Sequence, residues 1–388
     1  MNQTPSAERI QIAFFGRRNV GKSSLVNAFT GQSLSIVSDV KGTTTDPVSK
    51  AMELLPLGPV QIIDTPGIDD EGSLGALRVR RTQKVLATAD VAIVVTDATQ
   101  PLQPDEKALL EAIRERGLPH LLVRNKADLP GTLPGEGIFT SALTGQGIEE
   151  LKNRTAALIP DQQERPLVAD LLSPGDTVVL VIPIDQSAPK GRLILPQQQT
   201  IRDILEAGAS ALVCRDTELS TTLASLNKPP RLVITDSQVF DKVDAIVPDS
   251  VPLTSFSILM ARYKGDLPLL SEGLKSLEAL KTGDKILIAE GCTHHRQCED
   301  IGTVKLPRLL RRHTGMEPEF VFASGRDFPE DLKDFKLVIH CGGCMQTHRE
   351  LQYRLNQCRQ AGIPVTNYGL LFAYMGGIVS RCVKAFDL

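Results

Sequence analysis

The chain has 388 residues, 41% hydrophobic and 23% charged, with a formal net charge of −3. This is an ordinary globular composition with room for two to four domains and cores that need no disulfide staples. It excludes a strongly basic nucleic-acid-binding domain, since even the most positive part, 263–388, holds 17 Lys and Arg against 15 Asp and Glu.

The first predicted strand covers residues 10–15, followed by a glycine-rich loop and a helix from Ser23. Strands at 60–64, 91–96, 119–124 and 138–140 follow, with helices at 104–116 and 147–158. Strands alternating with helices predict an α/β fold with a parallel, doubly wound sheet. The polar, proline-bearing stretch 159–176 marks a boundary. Beyond it the spacing predicts strands at Val178–Ile184, Ala211–Cys214, Arg231–Thr235 and Val251–Thr254, with a helix at Ile201–Ala207. A junction at 263–285 carries an amphipathic helix, Ser271–Leu280, leading into a strand at Lys285–Ala289. Strands at 319–322 and 337–340 and helices at 346–361 and 369–385 complete the chain. The expected organisation is a P-loop domain at 1–165 and two smaller α/β domains at 170–262 and 263–388.

No segment reaches the ~18 apolar residues of a membrane helix. Met1–Arg9 lacks the apolar core of a signal peptide. A cytoplasmic protein without a membrane partner is expected.

Gly16-Arg17-Arg18-Asn19-Val20-Gly21-Lys22-Ser23 is a Walker A motif between a strand and a helix. Its glycines let backbone N–H groups close on phosphates, Lys22 neutralises the β/γ oxygens, and Ser23 offers its hydroxyl to Mg²⁺; Ser24 follows at the helix start, whose dipole favours the anion. Asp64-Thr65-Pro66-Gly67 ends a strand: Asp64 is expected to hold Mg²⁺ through water, and the Gly67 amide to sense the γ-phosphate. Between them lies Gly42-Thr43-Thr44-Thr45, where Thr44 is the candidate to close over Mg²⁺. Asn125-Lys126-Ala127-Asp128 supplies base identity. The Asp128 carboxylate accepts two hydrogen bonds from guanine, and adenine would leave it unpaired. Ser141-Ala142-Leu143 offers a backbone N–H to the guanine oxygen. The motifs occur in the order and spacing of a GTP/GDP site.

This pattern resembles the translation-factor-related GTPases, the group containing TrmE, Era and EngA. The resemblance implies that Asn19 supports K⁺ against the phosphates, in place of an arginine finger, although a plain loop-capping asparagine is the alternative. Position 68 is Ile rather than a water-orienting glutamine, so slow, K⁺-assisted hydrolysis is implied. Thr43–Thr45 departs from the Thr-Thr-Arg of relatives, which touches only the detail of this loop.

Seven cysteines, most of them after residue 291, suggest metal ligation or redox chemistry in a reducing compartment. Cys292-Thr293-His294-His295 and His340-Cys341-Gly342-Gly343-Cys344 each follow a predicted strand, where α/β sheets build their sites. Cys292, Cys341 and Cys344 could bring three thiolates to one centre, leaving a fourth position with His294 or His340 nearby. A 4Fe–4S cluster and a Cys₃His zinc site are both compatible with this spacing, and a redox pair Cys341–Cys344 is a further reading. Cys214, Cys358 and Cys382 read as buried thiols. Cys298 reads as a bystander, His295 as a neighbour, and His313 and His348 as surface helix residues.

A TrmE/Era-like domain, a middle α/β domain and this Cys/His set together resemble the HydF family, the GTPases that mature FeFe-hydrogenase. The resemblance spans essentially the whole chain. It implies a 4Fe–4S cluster on Cys292, Cys341 and Cys344 with a labile fourth position, and a homodimer formed through the middle domain. It also implies a scaffold or carrier role for the diiron precursor of the hydrogenase active site. The implied partners are two radical-SAM maturases and the FeFe-hydrogenase apoprotein. The competing expectations are a ribosome-assembly or RNA-modification GTPase with a structural zinc site, and a nucleotide-gated adaptor whose metal only holds the fold.

Overall fold

The computed structural model describes residues 5–31, 48–68, 82–159, 166–184, 191, 193–291, 300–325 and 327–386. The chain divides into two compact units, Met1–Gln163 and Glu164–Leu388.

In the first unit, β1 (Ile10–Gly16), α1 (Lys22–Thr30), β2 (Val48–Leu54), β3 (Gly58–Asp64) and β4 (Val91–Asp97) are followed by α2 (Pro104–Glu115), β5 (His120–Asn125), β6 (Ile138–Phe139) and α3 (Ile148–Ala157). The sheet runs β2-β3-β1-β4-β5-β6. Its central strands are apolar on both faces. Ile12 and Phe14 of β1 enter the core beneath α1, whereas Ala13 and Phe15 enter the opposite core with Leu109 and Ile113 of α2. Burial on both faces is what the parallel pairing of these central strands demands. The sequence reading did not anticipate β2. It pairs antiparallel with β3 because only residues 55–57 separate the two, too few for a parallel crossover.

The second unit holds two four-stranded parallel sheets. The first contains β7 (Thr177–Val181), α4 (Leu195–Glu206), β8 (Ser210–Cys214), α5 (Leu219–Ala224), β9 (Leu232–Thr235), α6 (Phe240–Asp244) and β10 (Leu253–Ser255). After it come α7 (Phe256–Lys264) and α8 (Leu267–Glu272). The second comprises β11 (Lys285–Glu290), α9 (Leu306–Thr314), β12 (Glu319–Ser324), β13 (Phe335–His340), α10 (His348–Ala361), β14 (Val365–Asn367), α11 (Tyr368–Met375) and α12 (Val379–Val383). The strand orders are β10-β9-β7-β8 and β12-β11-β13-β14. Counted within each sheet, both read second-first-third-fourth, with a topological switch between the first and third strands. One apolar cluster runs from Val179, Val181 and Val233 of the first sheet to Ile286, Ile288 and Val338 of the second.

Several predicted elements are corrected here. The strand after residue 177 stops at Val181, two residues before Pro183, which has no N–H for the ladder. The single helix expected at 271–280 is α8 followed by a 3₁₀ segment, Gly273–Ala279. The helix expected at 369–385 breaks at Gly376 and Gly377, the latter at φ 73°. Helix α7 escaped the sequence reading because it is buried on two sides. Phe256, Leu259 and Met260 enter one core, and Ile258 and Ala261 the other, so no polar stripe betrays it. Among the described residues no helix is long and apolar enough to cross a membrane.

Gly273 lies against β14: a Cβ there would fall 2.0 Å from the Val365 carbonyl oxygen. Gly273→Ala is expected to destabilise the second unit by about 2 kcal/mol, the cost of overpacking a close backbone approach. A lowered thermal midpoint would register this, and an unchanged midpoint would refute the contact.

Candidate functional site

Two constellations emerge, one in each unit. In the first unit, the loop after β1 turns tightly against its neighbours. Gly21 has φ 80°, and a Cβ there would fall 2.5 Å from Asn125 Nδ2. A Cβ on Gly16 would meet the Val95 carbonyl oxygen at 2.4 Å. Asn19 (φ 63°) and Lys126 (φ 65°) are the non-glycine residues held at positive φ among those described, a conformation that turn asparagines tolerate. The Lys22 ammonium pairs with Asp64 Oδ1 at the end of β3, and the Ser23 hydroxyl donates to Asp64 Oδ2 at 2.6 Å. Lys22, Ser23 and Asp64 therefore meet at one point beside the N-terminus of α1. The backbone N–H of Ile68 donates to Gly16 at 3.3 Å, and the Thr65 hydroxyl donates to Phe14 at 2.7 Å, so the segment bearing Gly67 is laid against β1.

Asn125 ties three loops together. Its Nδ2 donates to the Val20 carbonyl at 2.9 Å, while its Oδ1 accepts from the Ala142 N–H at 3.2 Å and the Thr140 hydroxyl at 3.3 Å. Lys126 pairs with Asp97 at 2.8 Å. Burial alone would raise the Asp97 carboxyl, but hydrogen bonds from Lys126 and Thr99 hold it below its ordinary value. A cavity of about 330 Å³ is lined by Gly21, Ser24, Asn125, Lys126, Asp128, Leu129, Ala142 and Leu143, a volume in the range of small-molecule sites. Ser141 closes the same loop by accepting from the Thr144 N–H. The structure thus gathers the Walker A residues with Asp64, and the base-reading loop with Ala142 and Leu143. Thr44 lies outside the described residues.

In the second unit, Cys341 and Cys344 sit on the turn that leaves β13. The Cys341 sulfur accepts from the backbone N–H of Gly291 at 3.0 Å and of Gly343 at 3.4 Å. Glycine is required on both sides: Gly343 has φ 66°, and a Cβ on Gly291 would meet Gln346 at 2.9 Å. Two amides aimed at one sulfur stabilise a thiolate, the form that ligates metal. The Lys264 ammonium, from α7, donates to the carbonyls of Cys344 (3.2 Å) and Gln346 (2.9 Å) and so pins the turn. Burial pushes the Cys344 thiol up, opposed by Lys264.

His340 is 1% exposed. Its Nδ1 lies 2.9 Å from the Cys341 carbonyl and its Nε2 lies 3.1 Å from Arg354 Nη1. Burial and the Arg354 charge push this imidazole down to about 3, so it is neutral, with the proton on Nδ1. Nearby, the Tyr368 hydroxyl donates to the buried Glu290 at 3.2 Å. Cys292, His294, His295 and Cys298 lie outside the described residues. Among the described residues the turn supplies two sulfurs, Cys341 and Cys344, and no group of three His, Cys, Asp or Glu gathers to hold a metal; the amides and glycines around Cys341 are compatible with thiolate ligation. Cys358 and Cys382 are buried, their thiols pushed up to about 12.

The sequence reading passed over Asp97, Lys264, Gln346 and Arg354. Only Asp97, at a strand's C-terminal end, carried a local signal. The others are ordinary helix or turn residues until the fold brings them to the cysteines.

A strand, phosphate loop and helix, with Asp64 on the adjacent parallel strand and an Asn-Lys-x-Asp loop, define a P-loop GTPase domain. Residues 11–126 match the family model described as 50S ribosome-binding GTPase. Residues 167–265 match that of the Hydrogen maturase F dimerization domain, and 268–385 that of the Hydrogen maturase F tetramerization domain. The chain belongs to the HydF family.

The first unit also has more distant relatives. The tRNA modification GTPase MnmE of Synechococcus sp. (strain JA-3-3Ab) is 38% identical over 165 residues, covering 40% of this chain and 35% of its own. GTPase Der of Thermomicrobium roseum is 34% identical over 194 residues, covering 43% and 42%. The chain thus spans less than half the length of these curated relatives. Among solved structures, Aquifex aeolicus Era bound to GDP.AlF4- is 22% identical, covering 53% of this chain and 93% of its own at a TM-score of 0.36. The G domain of the T. maritima FeoB iron transporter is 26% identical, covering 39% and 99% at 0.32.

Asn125→Ala removes the ties to Val20, Thr140 and Ala142, at about 1 kcal/mol each, together with a longer contact to the Gly21 carbonyl. Guanine-nucleotide affinity, followed with a fluorescent GDP, is expected to fall roughly 10- to 100-fold. Unchanged affinity would mean that the three loops do not need this tie.

Proposed function

We propose that this chain is a GTP-hydrolysing scaffold or carrier that assembles and delivers the diiron precursor of the FeFe-hydrogenase active site. The observation that carries the reading is the Cys341 sulfur accepting two backbone N–H groups, in a chain that also bears a GTPase unit. Cys341 and Cys344, with Cys292, would hold a 4Fe–4S cluster, and His294 or His340 would lie near a fourth, exchangeable position. A position without a thiolate can be vacated without breaking an Fe–thiolate bond, which suits a carrier. The diiron unit is cargo rather than a resident group.

In the first unit, Gly16, Val20, Gly21, Lys22, Ser23 and Ser24 would cradle the phosphates of GTP/GDP. Ser23, Asp64 and Thr44 would hold Mg²⁺. Asn19 would support K⁺, Gly67 would sense the γ-phosphate, and Asn125, Lys126, Asp128, Ser141, Ala142 and Leu143 would read guanine. GTP turnover would bias partner exchange by switching loop states. Working in the cytoplasm as a homodimer joined through residues 170–262, with its metal site in 263–388, the protein would receive material from two radical-SAM maturases and pass it to apo-hydrogenase.

Anaerobic reconstitution with iron and sulfide is expected to give about four iron per chain and a broad absorption near ~400 nm. A colourless protein holding one zinc after reconstitution would instead support a GTPase with a structural zinc site. Lys22→Ala is expected to abolish GTP turnover while leaving iron content unchanged, and a parallel loss of iron would defeat the division of labour. Asp128→Asn is expected to weaken preference for GTP over XTP, and unaltered discrimination would remove that loop from base recognition.

A further inference from the structure

Arg354 lies on the buried stripe of α10 with Leu351, Leu355 and Cys358 and is 7% exposed. The groups in direct contact with it are all neutral. Nη1 meets His340 Nε2 at 3.1 Å, Nη2 donates to the Gly325 carbonyl, and the guanidinium stands 5.0 Å over the Phe328 ring. With the Gln346 amide oxygen turned toward it, Nε and Nη2 also donate there, at 3.0 and 2.7 Å. Among the described residues no carboxylate lies within ion-pair distance of it. Glu350, one turn earlier, accepts from the Thr347 N–H at 3.1 Å as the helix cap and attracts the guanidinium only from beyond ion-pair distance.

A buried cation with only neutral partners is costly unless an anion completes it. His340, which Arg354 holds, leads directly into Cys341, whose sulfur accepts from the Gly291 and Gly343 amides. A cluster held by thiolates would place negative charge at that spot, with one unit more on reduction. The same guanidinium occupies the only lone pair of His340 that could bind metal, since Nδ1 is committed to the Cys341 carbonyl.

We propose that Arg354 is a positioning residue of the cysteine centre: it supplies the buried countercharge of the bound cluster and, by holding His340 Nε2, keeps that imidazole out of the coordination shell. The proposal rests on the iron–sulfur reading above. The Gln346 amide and Phe328 ring fix the guanidinium's plane, so His340 is an outer support of the turn rather than a ligand.

The full chain is reconstituted anaerobically as wild type, Arg354→Gln, Arg354→Lys, His340→Gln and the double variant Arg354→Gln/His340→Gln. Iron and sulfide are counted, and the midpoint potential and the nitrogen couplings in pulsed EPR are recorded on the reduced cluster. His340→Gln is expected to leave the wild-type nitrogen pattern unchanged. Arg354→Gln is expected to shift the potential to a more negative value, because reduction then adds charge without a countercharge, and Arg354→Lys to restore part of the shift. Arg354→Gln should also acquire a nitrogen coupling that the double variant lacks, as the freed Nε2 reaches iron. Loss of a nitrogen coupling in His340→Gln alone would overturn the proposal, as would an unmoved potential and pattern in Arg354→Gln. If Arg354→Gln does not fold, His340→Gln and Arg354→Lys decide: a changed nitrogen pattern in the former or a strongly shifted potential in the latter overturns it. A wild-type chain that takes up no iron brings down the iron–sulfur reading and the proposal together, an outcome distinct from a loaded cluster indifferent to Arg354.

Discussion

The register Phe14↔Asp64 between β1 and β3 delivers Asp64 beside the loop that begins at Gly16, and the register Ala289↔His340 between β11 and β13 sends Gly291 and Cys341 out of the sheet side by side. Both sites depend on this parallel pairing. When adjacent strands run the same way, their C-terminal loops must converge on one edge, and a switch in strand order opens a crevice there. The cysteine turn occupies that crevice between the first and third strands of its sheet. Without the shared register, the Gly291 amide could not reach a sulfur fifty positions further along the chain.

The preceding sheet repeats the same strand order but uses its switch point differently. There the segment after β9, with Ser237 and Gln238, faces the neighbouring sheet. Lys305 donates to Gln238 at 2.9 Å, and Phe240 and Val243 join the cluster shared with β11 and β13. One crevice holds the cysteine turn, and the other packs against the neighbouring sheet. Helix α7 serves both, since its residues fill two cores and its last residue, Lys264, reaches the carbonyls of the cysteine turn.

The sequence made much of this legible, for physical reasons. The nucleotide loops were readable because phosphate and guanine recognition demand particular residues at fixed local spacing, as in Gly21-Lys22-Ser23 and Asn125-Lys126-Ala127-Asp128. The strands were readable because two-sided burial gives continuous apolar runs such as Val91–Val95. Helix α7 was hidden because burial on two sides erases the amphipathic signal. Arg354 was hidden because its stripe on α10 reads as an ordinary helix carrying a surface arginine; only the fold turns it inward beneath His340. Long-range ties such as Asn125 to Val20 carry no local pattern.

The apolar cluster that passes from Val179 and Val233 to Ile286 and Val338 has a consequence for how this protein can be divided. The two HydF models meet between residues 265 and 268, a tidy seam in the chain. In three dimensions that seam cuts through shared interior. Severed there, each half would bare oily surface that the other normally covers. The pair is therefore one object for engineering: either half transplanted onto a foreign partner would carry an open wound where its companion used to be.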